Sequence, residues 1–195
     1  MRSQTHIYSS QEGFESLVHE YTPALLRFVQ RLANLDLPAA EDIVQDTFVT
    51  AWKYIYSFDP SYSVKAWLYR IARQQTVSAF RRTKNRPTGA YHLEGDEELL
   101  HSIASDIDVP SEVASKLMLD AIHEALGTLP EDLRAVLVLR FMDDMSYDDI
   151  ADVLRKPPGT IATLLHRGKK QLAETLRRHY PSLVHEHELS PKNPA

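Results

Sequence analysis

Chemistry in this chain is signalled by where its charges fall. Between Val64 and Arg86 stand seven basic residues and no acidic one, interleaved with Tyr69 and Phe80. At helical spacing, Lys65, Arg70, Arg73 and Arg81 share an arc with both rings, opposite an apolar side of Val64, Trp67, Leu68, Ile71, Ala72 and Ala79. Cations that track a phosphate backbone, with aromatic faces for unstacked bases, suit single-stranded or unwinding DNA. A solvated arginine face over a core stripe explains the same pattern. A second group opens at Gly159-Thr160 and continues through Thr163, His166, Arg167, Lys169 and Lys170. It follows a short helical pattern and the Pro157-Pro158 break, the order of a helix-turn-helix whose second helix points its N-terminus at an anion. An ordinary helical hairpin with a basic outer face fits as well. A third group, Asp42, Gln45 and Asp46 beside Val49, is an acidic-polar strip able either to dock a partner's arginines or simply to face water.

No catalytic set accompanies these groups. The chain has no phosphate-binding glycine loop, dinucleotide fingerprint, nucleophile elbow or His-Glu-x-x-His pair, so no catalytic residue, metal site or cofactor is expected. His179, His185 and His187 could chelate a metal, but no further ligands stand near them in ordered sequence, and a frayed tail accounts for them. With no cysteine, disulfides and thiolate chemistry are excluded together.

The elements that must carry these groups are helical. Glycine is scarce, 6 of 195 residues, while 43% hydrophobic and 25% charged residues are ordinary for packed domains. Apolar residues recur at Phe14, Leu17, Val18, Tyr21, Leu25, Phe28 and Leu32, with a bend or restart expected at Thr22-Pro23. A second helix is expected from about Pro38 to Ile55, with Val44, Phe48, Ala51, Trp52 and Ile55 inward. Trp52 and Trp67 both fall at core spacing and read as packing residues. Ser57 to Ser63 reads as a loop whose last serine caps a third helix running to about Arg82. Helical periodicity resumes at Val113, again after Leu129-Pro130, and at Ser146, where Asp149 completes a capping pair. The final helix starts near Pro158.

Net charge is −5, but it is unevenly spread. Residues 1–86 carry 11 Lys and Arg against 8 Asp and Glu, residues 87–132 carry 1 against 11, and residues 133–195 carry 10 against 8. The expectation is an all-α chain of two small helical domains, 14–86 and 113–178, joined by an acidic flexible linker at 87–112. An N-terminal arm (1–13) and a C-terminal tail (179–195) flank them. The opening residues contain no apolar signal segment and no stretch is long enough to span a membrane, so a cytoplasmic location without membrane insertion is expected.

Four strings carry a resemblance: AEDIVQDTFVTAW (40–52), FDPSYSVKAWLYRIARQ (58–74) with Arg81-Arg82, LPEDLRAVLVLRFMDDMSYDDIADVL (129–154) and PPGTIATLLHRGKKQL (157–172). Together and in this order they resemble the extracytoplasmic-function (ECF) family of bacterial RNA polymerase sigma factors. The resemblance implies a non-catalytic specificity subunit whose partners are core RNA polymerase, promoter DNA and, as is common in the family, an anti-sigma factor. It implies that Asp42, Gln45 and Asp46, with Phe48 behind them, dock on the polymerase clamp. It further implies that the loop residues Ser57, Phe58, Asp59 and Tyr62, with Lys65, Tyr69, Arg70, Arg73, Arg81 and Arg82, hold the opened minus-ten element. The linker would thread the polymerase channels. Gly159, Thr160, Thr163, His166, Arg167 and Lys170 would read the minus-thirty-five element. Gln74 and Ser78 stand where the family commonly has Asn and Asp; Ala162, Thr163 and Leu164 replace a frequent Lys-Ser-Arg, and Arg155 replaces a turn glycine. The rival reading is a stand-alone helix-turn-helix regulator whose first module dimerises or senses a ligand.

Overall fold

The computed structural model describes residues 8–82 and 116–181, and among these every regular element is helical. The first three helices are α1 (Gln11–Ala33), α2 (Leu37–Tyr54) and α3 (Val64–Arg82), with a single 3₁₀ turn (Ile55–Ser57) after α2. The remaining elements are α4 (Lys116–Thr128), α5 (Glu131–Leu137) running into a π-helical turn (Val138–Met142), α6 (Tyr147–Leu154) and α7 (Pro158–His179). The expected linker at 87–112, the expected helix start at Val113, and His185 and His187 lie outside the described residues.

The caps follow from local chemistry. Ser10 accepts from the Gly13 N–H at 3.1 Å, Asp36 from Ala39 at 3.0 Å and Ser63 from Ala66 at 3.2 Å, each meeting a donor that the first helical turn leaves unpaired. The expected restart at Thr22-Pro23 does not occur, and Pro23 sits inside one 23-residue helix. Leu17 lies before Pro23 and Leu25, Phe28, Val29 and Leu32 after it, all at or below 2% exposure, so burial on both sides outweighs the roughly 3 kcal/mol that an interior proline costs. Thr22 donates its hydroxyl to the Val18 carbonyl at 2.6 Å.

Helices α1, α2 and α3 pack around Phe28, Val44, Phe48, Ile55, Leu68 and Tyr69. In the second module α7 packs against α5, and Gly168 lies at a close approach between them. A Cβ there would stand 3.2 Å from Leu137 Cγ and 3.3 Å from the Leu133 carbonyl oxygen. Ser146 accepts from the Asp149 N–H at 3.1 Å and donates to its carboxylate at 2.8 Å, the expected capping pair. Between α6 and α7, Arg155 holds φ 52°, the left-handed conformation that lets Lys156 N–H return to the Ala151 carbonyl at 3.0 Å.

The two modules touch. Arg134, buried on α5, donates to the Leu32 carbonyl at the end of α1 at 2.8 Å. The same guanidinium holds the Gly127 and Leu129 carbonyls at 2.7 and 3.0 Å, so one side chain fastens the α4–α5 turn to the first module. These are charge-assisted bonds to carbonyls that a helix end leaves unpaired.

Candidate polymerase and nucleic-acid interfaces

On α2 the inward residues Ile43, Val44, Thr47 and Phe48 leave Asp42, Gln45 and Asp46 exposed on one face, with Val49 69% exposed beside them. Phe48 lies behind this strip at 8% exposure, edge-on to Phe14 at 6.4 Å. Trp52 departs from the expected core position. It packs one edge on Phe14 at 4.8 Å but is 43% exposed, at the border between the buried stripe of Phe48, Ala51 and Ile55 and the exposed side of Val49 and Lys53. With Val49 it extends the acidic strip by an apolar patch, the composition of a surface that binds protein through a desolvated centre and charged rim.

The loop after α2 is tied by its own residues. Asp59 accepts from the Ser61 N–H at 2.9 Å, and this bond holds its carboxyl below the usual carboxylate range. Ser57 donates to the Tyr54 carbonyl at 2.8 Å. Tyr62 is 57% exposed, whereas Phe58 is sunk to 6% against Trp67, ring centroids 5.0 Å apart. Phe58 therefore anchors the loop and has no face to offer a base. Tyr56, which the sequence reading did not single out, is the most exposed large hydrophobic side chain among the described residues, at 77%. Its only signal was an aromatic directly before a polar loop.

The cationic face of α3 is not open to solvent as the periodicity suggested. Tyr69 is fully buried, 4.8 Å from Phe28, and donates its hydroxyl to Asp143 Oδ1 at 2.8 Å. Lys65 Nζ donates to the Asp143 carbonyl at 2.6 Å, and Arg70 to Asp152 at 2.7 Å. Arg73 clasps both carboxylate oxygens of Glu131 at 2.8 and 3.0 Å and reaches Asp132 at 3.0 Å. All four acceptor residues belong to the second module. The side chains of Arg81 and Arg82 lie outside the described residues.

Asp143 is the least satisfied member of this set. It follows the π-helical turn, and its Oδ2 is shielded from water without a hydrogen-bond partner. Burial pushes its carboxyl up to about 6, against the pull of Tyr69, Arg31, Lys65 and Arg27. Burial also pushes Arg31 down to about 10, which leaves it cationic at neutral pH. The Tyr69 hydroxyl is driven above its ordinary range and stays a donor.

In the helix-turn-helix, Ile161, Leu165, Gly168, Leu172 and Leu176 face inward and leave Gly159, Thr160, Thr163, His166, Arg167 and Lys170 exposed. Counted at about 100° per residue, those six fall within about a third of the helix circumference. No side chain caps the N-terminus of α7, so its positive end is open to an incoming anion. Thr163 bonds back to the Gly159 carbonyl at 3.3 Å, and Lys170 lies 4.0 Å from Glu174, too loose to hold it. Among the described residues no cluster of His, Cys, Asp and Glu could hold a metal ion, and no helix is long and apolar enough to cross a membrane.

A three-helix module followed by a helix-turn-helix module is the layout of a sigma-70 type transcription factor. The Sigma-70 region 2 family matches residues 17–86, and the Sigma-70 region 4 family matches residues 119–172. The ECF RNA polymerase sigma factor SigW of Bacillus subtilis is 32% identical over 170 residues, covering 86% of this chain and 90% of its own. The RNA polymerase sigma factor CnrH of Cupriavidus metallidurans is 33% identical over 172 residues, covering 86% and 88%. Two solved structures are similar. CnrH in complex with the cytosolic domain of CnrY has a TM-score of 0.64 and 25% identity over 87% of this chain and 91% of that one. The sigma factor RpoE in complex with the anti-sigma factor NepR from Bartonella quintana has a TM-score of 0.65 and 25% identity over 84% and 96%. This chain belongs to the ECF family of RNA polymerase sigma factors. Both regions occurring in one chain support that reading over a stand-alone regulator.

Proposed function

We propose that the protein acts in the cytoplasm as a binding subunit and not as an enzyme, and that its residues divide the work as follows. Asp42, Gln45 and Asp46, with Val49 and Trp52, dock on core RNA polymerase. The exposed face of α7, from Gly159 to Lys170, reads the upstream promoter element. Tyr62, with Lys65, Arg70 and Arg73, holds the opened strand of the downstream element. An anti-sigma factor is a further partner by analogy with the relatives solved in such complexes. The observation that carries the reading is the separation of two exposed faces of opposite character, acidic-apolar on α2 and basic on α7. An acidic face repels DNA and suits a protein; a basic helix N-terminus suits phosphate and base edges. Runoff transcription with the purified chain, core polymerase and genomic fragments tests it. Discrete starts that require the chain support the proposal, and the same transcripts with and without the chain refute it.

A further inference from the structure

Two consecutive aspartates follow the π-helical turn and meet opposite surroundings. The Asp144 side chain is 98% exposed, whereas the Asp143 carboxyl lies under α3 of the first module. We propose that docking of the two modules is linked to the uptake of a proton at Asp143, so that the balance between docked and separated forms of the chain follows pH.

The groups that face the Asp143 carboxyl come from the first module: Tyr69 and Lys65 from α3, Arg31 and Arg27 from α1. Oδ1 accepts from the Tyr69 hydroxyl, a neutral donor, at 2.8 Å, and Oδ2 is shielded from water without a hydrogen-bond partner. Lys65 spends its ammonium on the Asp143 main-chain carbonyl, at 2.6 Å. A carboxylate buried with one neutral donor is costly, and a proton removes its charge while leaving an oxygen to accept from Tyr69. When the modules part, α1 and α3 no longer cover the carboxyl and it returns to water. In the docked form burial pushes it up to about 6, against the pull of those four groups. Because the docked form holds the proton more tightly, acid favours docking through this group. That advantage is full below about 4 and is lost as pH rises through about 6. His123 on α4 acts in the opposite sense: burial and the charge of Arg31 pull its ring below the usual range, with Asp120 opposing. Arg70 with Asp152, and Arg73 with Glu131 and Asp132, also bridge the modules.

The chain has no cysteine, so Glu41→Cys on α2 and Glu174→Cys on α7, both at exposed positions, take a donor and an acceptor dye, one in each module. Single-molecule energy transfer then counts docked and separated molecules of the full chain at pH 5 and pH 7.5, in salt chosen to populate both. Circular dichroism follows folding. The quantity compared is the docked-to-separated ratio at pH 5 divided by that at pH 7.5, in the labelled parent and with Asp143→Asn added. A carboxyl that moves from 3.8 to about 6 on docking makes this quotient up to about tenfold larger in the parent. Titration of His123 and of the bridging pairs is common to both chains and cancels. Should Asp143→Asn fold poorly, Tyr69→Phe removes the hydroxyl that favours the carboxylate and raises the quotient above that of the parent. Equal quotients in folded parent and Asp143→Asn overturn the proposal, as does a quotient in Tyr69→Phe no larger than that of the parent.

Discussion

Replacing Asp143 with asparagine should stabilise the protein at neutral pH and leave it unimproved in acid. The carboxyl is raised from an ordinary 3.8 to about 6. At about 1.4 kcal/mol per pH unit, that rise penalises the ionised form by about 3 kcal/mol. Because the folded chain holds this proton more tightly than the unfolded chain, the penalty is absent below about pH 4 and grows as pH rises through about 6. The facing groups are Tyr69 and Lys65 from α3 and Arg31 and Arg27 from α1; the Tyr69 hydrogen bond and the positive charges of Lys65, Arg31 and Arg27 already offset part of the burial cost. An amide keeps the acceptor for the Tyr69 hydroxyl but places an unpartnered N–H₂ where Oδ2 stood, which returns some of the gain. The net expectation is about 1–2 kcal/mol at pH 7.5, or about 3–6 °C in melting temperature for a chain of this size. Thermal unfolding followed by circular dichroism at pH 7.5 and at about pH 4, where the penalty has largely gone, measures it. An Asp143→Asn variant that melts below the parent by the same margin at both values refutes the reasoning, since the charge would then be immaterial.

Other consequences are as direct. Arg134→Met removes three bonds to carbonyls and should cost about 3 kcal/mol or more in urea unfolding, beyond the effect of a surface arginine. Gly168→Ala places a methyl 3.2 Å from Leu137 Cγ and 3.3 Å from the Leu133 carbonyl oxygen, so α5 and α7 must part by a few tenths of an ångström. Set against the roughly 1 kcal/mol that alanine returns in a helix interior, it should cost about 1 kcal/mol net in the same assay. Asp46→Lys should abolish co-purification with core polymerase while leaving helicity unchanged, because the side chain is exposed. Arg167→Ala with Lys170→Ala should lower promoter-specific initiation and flatten its dependence on salt by about two phosphate contacts.

What could be read from the sequence was local. Ser63 and Ser146 announce their helices because a hydroxyl before an apolar period has a donor to satisfy three residues on. The exposed face of α7 follows from a simple count of its inward leucines and Ile161. The missing part depends on tertiary neighbours. Trp52 and Phe58 are both aromatic beside polar residues, yet one is at a rim and the other under a tryptophan, and no period distinguishes the two. Tyr69 falls on the same arc as the arginines, but a helix covered on both sides buries its polar arc too. The partners of Arg70 and Arg73 lie 58 to 82 positions away, beyond anything that helical spacing can relate. Pro23 stays inside one helix for the same reason, since its local cost is set against burial contributed by α2 and α3.

The account stands on the division of promoter recognition between two modules that act on DNA only in company with the polymerase. Footprinting of a promoter fragment with the chain alone, with core polymerase alone and with both tests that most directly. It predicts protection at two separated upstream elements only when both proteins are present. Equal protection by the chain alone, at a single symmetric site, would contradict it.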